Sequence, residues 1–134
     1  MSLQYDISNK QGGIGVKQEG MQTHFKKGVT TLCVLSLLQR RDMYGYELVQ
    51  ETERISGGLL TFQDGTLYPV LYRLQEQGFI SDHKEPAGKR MTRVYYHLTD
   101  EGADYLDLLR KEYAQISEGT RRILRFGEVR DETA

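Results

Sequence analysis

The sequence of 134 residues has no tryptophan, one cysteine, two prolines and almost no net charge. The lone Cys33 excludes an internal disulfide and any metal site built from several thiolates. A net charge of −1, from 18 Lys and Arg against 19 Asp and Glu, gives no global pull toward nucleic acid or acidic lipid. Any affinity for DNA must therefore rest on local basic charge. Long apolar runs are missing too: stretches such as Leu32–Leu35 fall far short of the roughly 18 residues of a membrane span. No charged-then-apolar leader opens the sequence, so the expected location is cytoplasmic, with no membrane partner. Catalytic patterns are absent as well. There is no glycine-rich phosphate loop, no supported Cys–His or Ser–His pairing, and no carboxylate pair set among apolar residues. His24, His83 and His97 show no metal-ligand spacing, so neither a metal nor a cofactor is expected.

What is present is the composition of one soluble domain, with 38% hydrophobic and 28% charged residues. Residues 1–22 lack helical period, carry glycine at 12, 13, 15 and 20, and read as a flexible tail. Met21 offers an alternative start. A first helix spans His24 to Arg40, where Val29, Leu32, Cys33, Leu35, Leu37 and Leu38 cover more than half the circumference. So broad a stripe implies two neighbours, one of them across a subunit interface. Asp42 is the expected cap of a second helix, Tyr44 to Ser56, whose inner face carries Tyr44, Leu48, Thr52 and Ile55 and which Gly57-Gly58 terminates. Leu59, Leu60 and Phe62 make an apolar connector. A third helix, capped by Asp64 and closed at Gly78, buries Leu67, Val70, Leu71 and Leu74, with Pro69 disturbing its first turn. Two extended runs follow, Phe79 to Lys84 and Thr92 to Leu98, joined by a loop containing Pro86 and Gly88. Alternation puts Val94, Tyr96 and Leu98 on one face, so Tyr96 is the buried tyrosine and Tyr95 the exposed one. Thr99 caps a last helix through residue 127, with a polar tail at 128–134. Its seam of Leu106, Leu109, Tyr113, Ile116, Thr120 and Ile123 keeps heptad spacing, too short and too polar at Thr120 for an autonomous coiled coil. That seam, with Leu35, is the expected dimerisation surface.

The fold class is thus mainly α with a small β-hairpin. Three helices, a hairpin and a helix are the order of a winged helix-turn-helix domain, here residues 23–98, followed by a dimerisation helix at 99–127. Local charge agrees. Residues 84–93 hold Lys84, Lys89, Arg90 and Arg93 against Glu85, while residues 100–134 hold nine acids and six bases. Lys89, Arg90 and Arg93 are candidate phosphate contacts, and Lys26 and Lys27 secondary ones. A charged turn that merely faces solvent is the plainer alternative.

Three segments carry a resemblance. DMYGYELVQ (42–50), DGTLYPVLYRLQEQGFI (64–80) and the run from Arg93 to Gly102 resemble, in order and separation, the PadR family of bacterial and archaeal transcriptional regulators. The chain departs from the family pattern at Gln75, where glutamate is more usual, and its single last helix resembles the short subfamily. The resemblance implies that Thr66, Tyr68, Tyr72 and Arg73 of the third helix contact DNA, against the alternative that Tyr68 packs and Tyr72 is a surface aromatic. It also implies a homodimer acting on double-stranded DNA as an effector-responsive repressor. Tyr113 would then face a small hydrophobic effector at the dimer centre, with ordinary interface packing as its other reading. Cys33, inside an apolar run, is expected to pack and not to sense redox state. The competing function is a protein-interaction module on the same scaffold, without specific DNA binding.

Overall fold

The computed structural model describes residues 28–128. Lys26, Lys27, His24, the proposed tail at 1–22 and all but Glu128 of the proposed tail at 128–134 lie outside this range, and Glu128 ends the last helix instead. The elements are α1 (residues 28–40), β1 (Met43–Tyr44), α2 (Gly45–Ile55), α3 (Asp64–Glu76), β2 (Ile80–Pro86), β3 (Thr92–Leu98) and α4 (Asp100–Glu128). The strands form one antiparallel sheet in the order β1-β3-β2, with Met43 opposite Tyr96 and Ile80 opposite Leu98. This is a winged helix-turn-helix with a long helix appended, mainly helical as the periodicity implied. The two-residue strand β1 is an addition to the expected hairpin, too short for a period-two signal. Pro86 sits in β2, an edge strand, where its missing N–H costs no ladder bond.

One core holds the domain together. Val34, Leu35 and Leu38 of α1, Leu48 of α2, the α3 stripe, Ile80, Tyr96 and Leu106 are all buried in it. Tyr96 is the buried tyrosine of β3, as the alternation required. Both turns after α2 and α3 close with glycine in the left-handed region. Gly78 (φ +80°) donates to Gln75 O and Phe79 to Leu74 O, and Gly57 and Gly58 repeat the pattern on Arg54 and Glu53. Only glycine adopts that backbone without a β-carbon penalty.

Several local expectations are corrected. Asp42 does not cap α2. The N-cap is Tyr44, whose N–H donates to the Glu47 carboxylate, while Asp42 Oδ1 pairs with His97 Nδ1 at 2.8 Å across the sheet. Asp64 is the first helical residue of α3, and Gln63 is its cap. Pro69 sits inside an unbroken α3: the acceptor it cannot serve, Gly65 O, belongs to an exposed residue that water can reach. Ile55 is exposed, as are Leu59 and Leu60, and only Phe62 of the connector is buried. They fall where α2 has already run past the core.

The junction with α4 is tightly made. Thr99 Oγ1 donates to Gly78 O and accepts from Gly102 N–H, so one hydroxyl caps α4 and ties it to the end of α3. A β-carbon on Gly102 would run into the Phe79 carbonyl, and the Phe79 and Tyr105 rings stack at 4.2 Å. Further along, Arg110 donates to Gln39 Oε1 at 3.0 Å, pinning α4 to α1.

Candidate nucleic-acid interface

The site is built on α3. Its apolar stripe of Leu67, Val70, Leu71 and Leu74 is buried, which at 3.6 residues per turn turns Gly65, Pro69, Tyr72 and Glu76 outward. Tyr72 is 63% exposed and stands near the centre of that face, with Arg73 beside it, exposed and without an ion pair among the described residues. Thr66 is half-buried on the same flank as Arg73. Tyr68 takes the opposite flank. It is 46% exposed, but its hydroxyl end rests on Gly45, where a β-carbon would collide with it. So α3 brings Thr66, Tyr72 and Arg73 to one surface and gives Tyr68 a packing task beside its exposed edge.

The helix by itself has little electrostatic attraction for DNA, since Arg73 is set against Asp64 and Glu76. Positive charge comes from the wing. Lys84, Lys89 and Arg90 are exposed and have no ionic partner among the described residues. The bond from Ala87 N–H to Met91 O at 2.8 Å closes the loop that presents them. Arg93 is held differently: its guanidinium lies over the Tyr44 ring, 4.5 Å from the centroid.

Tyr44 and Tyr95 were not expected here. On the outward face of the sheet the Tyr95 ring packs edge-on against Tyr44 and stacks with His83. This ladder stiffens the root of the wing and leaves Tyr95 half-buried, not exposed. The period-two pattern already placed Arg93, Tyr95 and His97 on that face. It could not show that β1 would lay Tyr44 beside them.

The expected dimerisation residues divide into two groups. Leu35 and Leu106 are 0% exposed, and Leu109 packs against the same core. For Leu35 and Leu106 this is a correction, because a side chain with no free surface cannot touch a second subunit. Tyr113, Ile116 and Ile123 are exposed, together with Leu124 and Phe126. Tyr113 lines an apolar groove of about 680 Å³ between α1 and α4, shared with Leu32, Leu109 and Ile116. Cys33 is half-buried against the core, and burial pushes its thiol up from the ordinary value, the opposite of a redox-sensing thiolate. Among the described residues no three His, Cys, Asp or Glu side chains gather to hold a metal, and no helix is long and apolar enough to cross a membrane.

Comparison with known proteins agrees with this geometry. Residues 34–108 match the Transcriptional regulator PadR-like family. The transcriptional regulator YqjI of Escherichia coli is 36% identical over 97 residues, covering 72% of this chain and 45% of that protein. The negative transcriptional regulator PadR of Bacillus subtilis is 27% identical over 78 residues, covering 58% and 43%. The chain thus spans less than half the length of these curated relatives. A PadR family transcriptional regulator from Eggerthella lenta has a similar structure, with a TM-score of 0.67 at 27% identity over 85% of this chain and 97% of that one.

Proposed function

The chain belongs to the PadR-like family of transcriptional regulators, non-enzymatic proteins that bind DNA, and on that premise we propose that it is a cytoplasmic dimeric repressor of a pseudo-palindromic operator. The observation that carries the reading is that Tyr72 and Arg73 of α3 and Lys89 and Arg90 of the wing are all exposed, with none of the three cations in an ion pair among the described residues. In it, α3 lies in the major groove with Thr66 near its entering end, where hydroxyls reach bases or phosphates. Lys89 and Arg90 meet the flanking backbone, with Lys26 and Lys27 as further phosphate contacts. Dimerisation runs through the half of α4 that the described residues leave bare: Tyr113, Ile116 and Ile123. Two copies would then set their α3 helices about 34 Å apart, one turn of DNA. The groove at Tyr113 takes a small hydrophobic effector that alters this spacing and releases the operator. Repression is the role stated for the Bacillus subtilis relative.

The test is binding to a labelled fragment from upstream of the coding region, with competitor DNA, at two salt concentrations. A repressor binds through the competitor and weakens steeply with salt. Lys89→Ala/Arg90→Ala should lower affinity on all sequences alike and reduce the salt slope by about two. Binding no better than competitor at any genomic fragment would overturn the reading in favour of a protein-interaction module.

A further inference from the structure

Past Arg110 the exposed side chains of α4 include Tyr113, Ile116, Ile123, Leu124 and Phe126. Apolar surface of that extent marks a contact. Leu124 and Thr120 line the groove between α1 and α4, whose facing wall is Gly28, Val29 and Leu32. The two helices run antiparallel: Arg110 donates to Gln39 Oε1 near the end of α1, while Gly28, at its start, borders the groove together with Leu124. Both rise about 1.5 Å per residue. An equal step along each helix from the Arg110–Gln39 bond brings Gly28 level with Arg121. From Arg122 to Glu128, about two turns, α4 therefore has no described part of α1 beside it.

The chain itself can supply the missing stretch. Residues 1–27 lie outside the described range and enter it at Gly28, on the groove wall and facing its open end. A β-carbon on Gly28 or on Gly127 would meet nothing among the described residues, so there is room along this line. The sequence also continues the right face. Phe25 falls four residues before Val29 and seven before Leu32, and Met21 four residues before Phe25. Lys26 and Lys27 fall on the other sides of the same period, where they stay available for the phosphate contacts proposed above.

We infer that residues 21–27 continue α1 along the last turns of α4, with Phe25 covering Leu124. The occupant is a segment of this chain and not a second copy, because of how it is attached. Phe25 is three residues from the groove wall, so it meets α4 at the high effective concentration of a short tether, whereas a second copy must first give up its independent motion. Ile123 and Phe126 do not line the groove and remain for the subunit contact. On the effector reading, Phe25 would also end the groove at Tyr113 and limit the length of ligand it admits. Only this last consequence rests on that reading.

The test sets the photocrosslinking analogue p-benzoylphenylalanine in place of Phe25 in the full chain. Irradiation should give a product of monomer mass in which, after proteolysis and mass spectrometry, residue 25 is joined to α4 within residues 120–128. A product of dimer mass would assign the surface to a second copy and overturn the inference. So would the absence of any product on α4. Hydrogen exchange gives an independent readout. Phe25→Ala should speed exchange of the amides of residues 120–126 about tenfold, by opening the end of α4 alone, and leave α2 and α3 as they are. Lys26→Ala, on another side of the segment, should change neither. Wild-type exchange in Phe25→Ala would overturn the inference as well. None of these outcomes bears on the operator reading, which stands or falls on DNA binding.

Discussion

Gly45 is the residue on which the contact between α2 and α3 turns. Its bare Cα accepts the end of the Tyr68 side chain, and a β-carbon there would collide with the hydroxyl. Gly45→Ala should cost about 1–3 kcal/mol in chemical denaturation, the usual penalty of overpacking. Adding Tyr68→Phe, which removes the colliding atom, should return part of that loss. Thr52 presents the opposite fault, a buried hydroxyl with no hydrogen-bond partner among the described residues. Thr52→Val should raise stability by about 1 kcal/mol, because the unmatched polar atom leaves and the shape stays. Cys33 should react slowly with a thiol reagent at neutral pH and faster only as pH rises past its upshifted titration, since the thiolate is the reactive form. Rapid modification at pH 7 would contradict its packed position. Of these features, only the packing of Cys33 was legible in the sequence, because it depends on an apolar run along one helix. The Gly45–Tyr68 contact joins residues 23 positions apart, and no periodicity reports on that.

Elements were more legible than contacts, since caps and periods are local. Thr99, followed by Asp100 and Glu101, announced the start of α4, and the structure shows its hydroxyl accepting from Gly102 N–H. The same hydroxyl also donates to Gly78 O, a bond that the cap pattern does not reveal. Thr99→Ala should therefore cost about 2 kcal/mol, the upper end for an N-cap, read as a shift in denaturation midpoint with unchanged slope. Asp42 shows how a local pattern misleads. It has the chemistry of a cap, but β1 intervenes, and the carboxylate finds His97 on β3 instead. A two-residue strand leaves no mark in the sequence, because its pairing is decided by the strand it joins.

At the scale of the whole molecule, α4 divides by function. Its first turns, through Arg110, belong to the domain core, and the turns beyond carry apolar side chains that the described chain does not cover. On the dimer proposal, Ile116→Asp/Ile123→Asp should yield a monomer in sedimentation velocity and a large loss of operator affinity, with little change in unfolding of the winged domain. An unchanged sedimentation coefficient would place the subunit contact elsewhere. The heptad spacing of Leu106, Leu109, Tyr113, Ile116 and Ile123 marked one continuous seam. Only packing separates the residues that serve the core from those left for a partner.

Local order was therefore written in the sequence: which segments are helical, where glycine and threonine bound them, which faces are apolar, and that basic charge gathers on the wing. These follow from backbone sterics, hydrogen-bonding caps and side-chain period, all of which act over a few residues. Tertiary structure alone decided that Leu35 and Leu106 are core, that Tyr44 shields Arg93, and that Tyr68 and Tyr96 share a cleft with the start of α2. Those relations join residues distant in the chain, and they arise only when burial of one common core sets the elements side by side.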